Sequence, residues 1–209
     1  GRKLAEEESI DADIVTPVPD SGVPAALGYS EYSKIPFELA IIRNHYVGRT
    51  FIQPTQSIRY SSVKLKHNPN KSSIKNKRVI LIDDSIVRGT TSVKIVELMR
   101  EAGASEIHMR IACPPIKFPD FYGIDTPETE QLLAANKNIE QMRKYIGADS
   151  LGFLSLDGLY KAMGCREGRD NEKPQYTDHC FTGEYPTSLA DYDNEKTQEQ
   201  LSLLADDEN

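Results

Sequence analysis

Apolar positions along the 209 residues follow two patterns. Short unbroken runs bounded by charge or turn residues read as buried strands, and positions recurring every three or four residues read as helices. The clearest run is Val79-Ile80-Leu81-Ile82, set between Arg78 and the carboxylates Asp83 and Asp84. It is too short for a helix and apolar at every position, as in a parallel strand covered on both faces. After Gly89-Thr90-Thr91-Ser92, the residues Val93, Ile95, Val96, Leu98, Met99 and Ala102 take helical spacing, and Gly103 suits the stop. Upstream, Asp13–Val18 and Phe37–Ile42 read as strands, with a helix over 23–33 following the loop P-V-P-D-S-G at 17–22. Downstream, strands are predicted over Glu106–Ala112 and Leu151–Leu156. Helices are predicted over Glu128–Ala135, over Ile139–Ile146, and from a cap at Asp157 through Ala162. Strands alternating with helices predict an α/β fold with a doubly wound, mostly parallel sheet.

Composition narrows the class. Charged residues make up 27% and apolar ones 38%, the balance of a water-exposed globular domain with enough chain for a core. No apolar run approaches the roughly 20 residues that span a bilayer, and no basic-then-apolar leader is present, so neither membrane nor secretion is expected. Cys113, Cys165 and Cys180 form no C-x-x-C pair, and reduced thiols in a cytoplasmic protein are expected. The chain opens Gly-Arg-Lys-Leu without Met, as if partway along a helix, and is expected to be a piece of something longer.

The chemistry concentrates where the 79–82 strand ends. A Gly/Thr turn leading into a helix presents N–H groups and positive partial charge to an anion. Two carboxylates beside it would repel a bare phosphate, so they must address ribose hydroxyls or Mg²⁺. A structural strand end followed by an ordinary N-cap is the competing reading. For the 17–22 loop, the residues alone fit a plain turn and a ligand loop at a sheet's carboxyl edge. The segment Arg43 to Arg78 holds nine Lys/Arg and no Asp or Glu in a chain of net charge −7. It fits a solvated loop, a nucleic-acid arm or a lid over a phosphorylated substrate, although the acidic remainder and the lack of a recognition motif speak against nucleic acid.

The run I-D-D-S-I-V-R-G-T-T resembles the phosphoribosyl pyrophosphate (PRPP) motif of type I phosphoribosyltransferases, and its S-I-V-R-G-T-T form is similar to that of the amidophosphoribosyltransferases. N-H-Y-V-G-R-T-F-I-Q-P at 44–54, F-Y-G-I-D-T-P at 121–127 and I-G-A-D-S-L-G-F-L-S at 146–155 carry the same resemblance, which covers about Gly1 to Pro186. It implies a phosphoribosyltransferase domain over 1–164, a packed extension over 165–186 and an acidic, disordered tail over 187–209. The implied reaction transfers ammonia, from glutamine in the complete enzyme, to C1 of PRPP as the first committed step of purine synthesis. The glutaminase domain and its amino-terminal Cys are absent from this chain.

Residue by residue, the resemblance implies that Arg88, Gly89, Thr90, Thr91 and Ser92 hold the 5-phosphate, with Ser85 in the same motif, and that Asp83 and Asp84 hold the ribose hydroxyls. Asp20, Ser21 and Gly22 would hold the pyrophosphate. Ser21, Asp83 and Asp84 would hold Mg²⁺. A lid matching at Arg43, Asn44, Tyr46, Gly48 and Arg49 would close over the substrate, with Tyr46 and Arg49 acting in catalysis and His45 at a usually basic position. Asp125 is assigned either to the active face or to a structural turn. Some members hold a [4Fe–4S] cluster through Cys ligands. Cys180 matches one, but Asp120 and Thr177 occupy two others, so no cluster is expected and His179 and Cys180 read as packed. Purine nucleotides as inhibitors and a homo-oligomer are implied for the complete enzyme. A salvage nucleobase phosphoribosyltransferase and a PRPP-sensing regulator are the alternatives.

Overall fold

The computed structural model describes residues 1–44, 67–124 and 126–189. Tyr46, Gly48, Arg49, His45, Asp125 and the acidic tail beyond residue 189 lie outside the described residues. The strands are β1 (Ile14–Pro17), β2 (Ile41–Arg43), β3 (His67–Pro69), β4 (Arg78–Asp83), β5 (Glu106–Ile111) and β6 (Ser150–Phe153). The helices are α1 (Arg2–Glu7), α2 (Val23–Ser33), α3 (Lys71–Ile74), α4 (Thr90–Glu101), α5 (Leu133–Asn136), α6 (Ile139–Ile146), α7 (Leu156–Ala162) and α8 (His179–Thr182). Among the described residues, β1, β4, β5 and β6 form one parallel sheet in the order β1-β4-β5-β6, and β2 pairs antiparallel with β3.

Side-chain alternation along β4 builds both layers. Val79 and Leu81 enter a core with Ile95, Val96 and Met99 of α4 and Met142 and Ile146 of α6. Ile80 and Ile82 face the other way, toward Leu4 and Ala5 of α1 and Ala26 and Tyr29 of α2. All four β4 side chains are fully buried, each worth about 1.5–3 kcal/mol. This two-sided cover is what the unbroken apolar run predicts. Helix α6 likewise spans the predicted residues: Asn138 and Gln141 form a reciprocal capping box at its start, and Gly147 ends it at φ 82°.

Three expectations need correction. Phe37–Ile42 does not continue the sheet. Phe37 makes an isolated parallel bridge to Val15, the Thr16 hydroxyl then accepts the Ala40 N–H at 3.1 Å, and the chain turns off the sheet edge into the β2–β3 pair. The helix expected over Glu128–Ala135 is a 3₁₀ turn, Thr129–Gln131, followed by the short α5. The cap of α7 is Ser155, whose hydroxyl accepts the Gly158 N–H at 2.8 Å, and Asp157 lies in the first turn.

Beyond α7 the chain has little regular structure, and polar contacts hold it. Arg169 pairs with Asp178 at 2.6 Å, both side chains under a tenth exposed. The Tyr160 hydroxyl of α7 donates to the same carboxylate at 2.7 Å. His108 lies on the sheet as expected, buried and bonded to Ser150 and Glu106.

Candidate active site

At the carboxyl ends of β1 and β4 the sheet opens into a cleft of about 470 Å³. Its walls include Asp20 and Ser21 from one loop, Asp83 and Asp84 from the other, and the whole turn from Ser85 to Ser92. The two loops are tied together at the strand ends, because the Val18 N–H donates to the Ile82 carbonyl at 2.7 Å. Ser21 then donates to Asp84 at 3.1 Å, across 63 residues of sequence.

Two helices begin at this cleft, and no side chain caps either. Helix α2 starts after Gly22, where a Cβ would overlap the Ile82 carbonyl and lie 2.9 Å from the Val18 carbonyl, so the loop can pass this close only with glycine. Helix α4 starts after Gly89, held at φ 76°, with no acidic residue in its first turn. First-turn N–H groups with no side-chain acceptor at two helix starts form two regions of positive partial charge on one cleft.

Between them stands the acidic pair. Asp84 is exposed, whereas Asp83 is 6% exposed and accepts the Asp84 N–H at 3.0 Å. Burial, and then the neighbouring Asp84, push the Asp83 carboxyl well above the usual carboxylate range. The Cys113 thiol is pushed to about 12 by burial and by both carboxylates, which keeps it protonated beside them.

The cationic side chains come from two places. Arg88 projects from the turn, and its Nε donates to Gln131 at 3.0 Å. Arg43, at the end of β2, pairs with Asp20, while its own Nε is buried without a partner. His67 of β3 completes this wall. Every described residue expected at the site from sequence therefore lines one cleft, except Gly22, which sits beneath it, and Asn44, which is not in its lining. Thr90 and Thr91 are exposed there, and Ser92 is buried.

Sequence reasoning missed the support under the turn. The Leu133 N–H donates to the Val87 carbonyl at 2.8 Å. Leu133 and Tyr145 also fill the space where a Cβ on Gly89 would stand. Gln131 and Leu133 sit more than forty residues beyond the turn, and no local pattern marks them.

A family model described as a phosphoribosyl transferase domain matches residues 2–117. The chain belongs to this family. It is 62% identical over 206 residues to an amidophosphoribosyltransferase of Rhizobium etli, covering 98% of the chain and 41% of that protein. It is 51% identical over 189 residues to the Bacillus subtilis amidophosphoribosyltransferase, covering 90% of the chain and 39% of the relative. A solved structure of the B. subtilis glutamine PRPP amidotransferase complexed with ADP and GMP superposes with a TM-score of 0.79 at 50% identity, over 90% of this chain and 41% of that one. The chain thus spans about two fifths of the length of these relatives. Among the described residues, no helix is long and apolar enough to cross a membrane.

The cluster that some members hold does not fit the donors found here. Asp120 offers a carboxylate and accepts from His179 Nε2 at 2.8 Å, Thr177 offers a hydroxyl, and Cys180 brings one thiol. Asp120, His179 and Cys180 nonetheless converge, with one ligand atom from each within 4.8 Å of the others.

Proposed function

We propose that this chain carries the PRPP-binding and transfer site of an amidophosphoribosyltransferase, displacing pyrophosphate from C1 of PRPP with ammonia to give 5-phosphoribosylamine. The observation that carries the reading is the placing of an acidic pair between two helix starts on one cleft. PRPP has the complementary order: a phosphate, two ring hydroxyls, and a pyrophosphate. The α4 start, with Arg88 and the hydroxyls of Thr90, Thr91 and Ser92, would bind the 5-phosphate. Asp83 and Asp84 would accept the ribose hydroxyls, with Ser85 on the same wall. Asp20, Ser21 and Gly22 would meet the pyrophosphate at the α2 start, with Arg43 beside them on Asp20.

Ser21, Asp83 and Asp84 supply only oxygen donors, the set that suits Mg²⁺. When bound, the metal would neutralise pyrophosphate charge. Ammonia is already a nucleophile, so the side chains have no strong base to provide. Their work is to hold the sugar, stabilise charge building on the leaving pyrophosphate and exclude water, and Tyr46 and Arg49 join them in this proposal. A purine nucleoside monophosphate shares the ribose diol and 5-phosphate with PRPP, and would compete at the same turn.

The test is pyrophosphate release by the purified chain with PRPP, Mg²⁺ and ammonium. Release that rises with ammonium supports the reading. Release that requires a nucleobase would instead indicate salvage, and PRPP binding without any release would indicate a sensor.

A further inference from the structure

The convergence of Asp120, His179 and Cys180 lies outside the cleft and the proposed reaction makes no use of it. The loop that follows β5 and the short helix α8 meet here. The Cys180 carbonyl accepts the N–H groups of Lys117 and Phe118 at 2.9 and 3.1 Å, so the two backbones are already joined. Asp120 is held on its other oxygen, Oδ1, by the N–H groups of Tyr122 and Ile124 at 2.8 and 2.9 Å. That leaves Oδ2 directed at His179. The imidazole packs against Tyr122, 5.1 Å away edge-on, and Tyr185, 5.0 Å away. The Tyr185 hydroxyl is anchored on the Pro119 carbonyl. Both the Asp120 and His179 side chains are about a twentieth exposed.

A carboxylate oxygen, an imidazole nitrogen and a thiol are a donor set for a borderline cation such as Zn²⁺ or Co²⁺, and a poor one for Mg²⁺. The backbone amides on Asp120 Oδ1 orient that ligand as outer-shell partners do in metal sites. A 2.8 Å separation of Oδ2 and Nε2 is spanned by one ion with bonds of about 2.0–2.2 Å. The thiol lies within 4.8 Å of both other ligand atoms and must move inward when the ion binds.

We propose that Asp120, His179 and Cys180 bind one divalent transition-metal ion of the zinc class, which staples the 117–124 loop to α8. The ion binds Nε2 as the ring proton held there against Asp120 moves to Nδ1, and Cys180 releases its thiol proton to solvent to become the third ligand. Coordination through Nε2 leaves the ring proton on Nδ1, which is buried without a partner. That unsatisfied N–H weakens binding by roughly tenfold to a hundredfold relative to a site with its outer-shell partner in place.

The experiment is a Co²⁺ titration of the whole chain, reduced and at neutral pH. One equivalent should produce a thiolate-to-cobalt charge-transfer band that Zn²⁺ abolishes and Mg²⁺ does not. Cys180→Ser should remove the band, while Cys113→Ser and Cys165→Ser keep it. Asp120→Asn should weaken Co²⁺ binding at least tenfold. Zn²⁺ should raise the Tm of the parent and leave that of Cys180→Ser unmoved, which keeps the test decisive if Asp120→Asn folds poorly. Asp83→Asn should retain the band, so this site and the PRPP site can fail separately. No cobalt band, or a band that survives in Cys180→Ser, overturns the proposal.

Discussion

Replacing Asp83 by Asn should stabilise the ligand-free chain while disabling it. Asp83 ends β4, buried, and the hydrogen bond its carboxylate accepts is from the adjacent Asp84 N–H. Asn keeps that acceptor and removes the charge. Each tenfold that burial adds to proton affinity corresponds to about 1.4 kcal/mol lost when the group must ionise. An under-satisfied buried polar group typically costs about 1–3 kcal/mol. In a chain of this size, about 1 kcal/mol moves Tm by roughly 2–4 °C, so Asp83→Asn should melt several degrees higher at neutral pH. The sign with pH follows from the raised folded value. Above about pH 3.9, where the unfolded carboxyl ionises, the native chain still holds its proton, so stability falls as pH rises until the folded group has ionised too. The variant should lack this fall. Turnover with PRPP, Mg²⁺ and ammonium should drop by about 10²–10³, as when one preorganised electrostatic contact is lost. Thermal melts from pH 4 to 8 and a pyrophosphate assay measure both halves. A variant that melts lower than the parent at neutral pH, or turns over normally, would refute the argument.

Gly89→Ala should cost about 1–3 kcal/mol and weaken PRPP binding, because φ 76° is strained for a side chain and its Cβ would stand 2.6 Å from Leu133. Adding Leu133→Ala should restore part of the binding by removing the steric share, as a double-mutant titration would read. Gln131→Ala should leave urea stability within about 0.5 kcal/mol, since the contact is exposed. It should raise the KM for PRPP several-fold by releasing the Arg88 guanidinium. Arg169→Ala strands Asp178 as a buried unpaired charge and should cost about 3–5 kcal/mol. Limited proteolysis should then cut between 165 and 187 before the sheet, and Asp178→Asn in the same chain should recover part of the loss.

How much of this was legible in sequence depends on the range of the interaction. Strand β4, the acidic pair and the turn are consecutive, so their chemistry could be read directly from Arg78 to Ser92. The strand predicted over Phe37–Ile42 stops at one bridge to β1, where the next ladder donor would be Pro17, which has no N–H. Thr16, more than twenty residues earlier, takes the Ala40 N–H that a sheet neighbour would otherwise have used. The capping hydroxyl of Ser155 and the carboxylate of Asp157 are both good N-cap chemistry, and only the backbone position separates them. Gln131 under Arg88, Arg43 on Asp20 and Asp120 on His179 join segments 23 to 59 residues apart. Their residue types are ordinary on a surface, so nothing local distinguishes them.

The overall charge of −7 opposes the highly anionic substrate proposed for the cleft, but distance resolves the conflict. At physiological ionic strength charges beyond about 8 Å are largely screened, so the cleft responds to its own lining. Two uncapped helix starts, Arg43 and Arg88 supply positive potential there, and the partly desolvated walls strengthen it. Asp83 and Asp84 stand against that field, so an empty cleft keeps two carboxylates close together with one of them buried. Hydroxyl groups, or a cation shared with Ser21, relieve the strain while phosphates satisfy the flanking amides. Neither half suffices alone. A bare phosphate would leave the carboxylates unsatisfied, and a neutral sugar would leave the helix starts unused. The cleft therefore selects molecules that carry a diol and an anion together, and it should bind ribose 5-phosphate with Mg²⁺ far better than either ribose or inorganic phosphate. Equal affinity for inorganic phosphate and ribose 5-phosphate in calorimetry would show that the carboxylates contribute nothing to recognition.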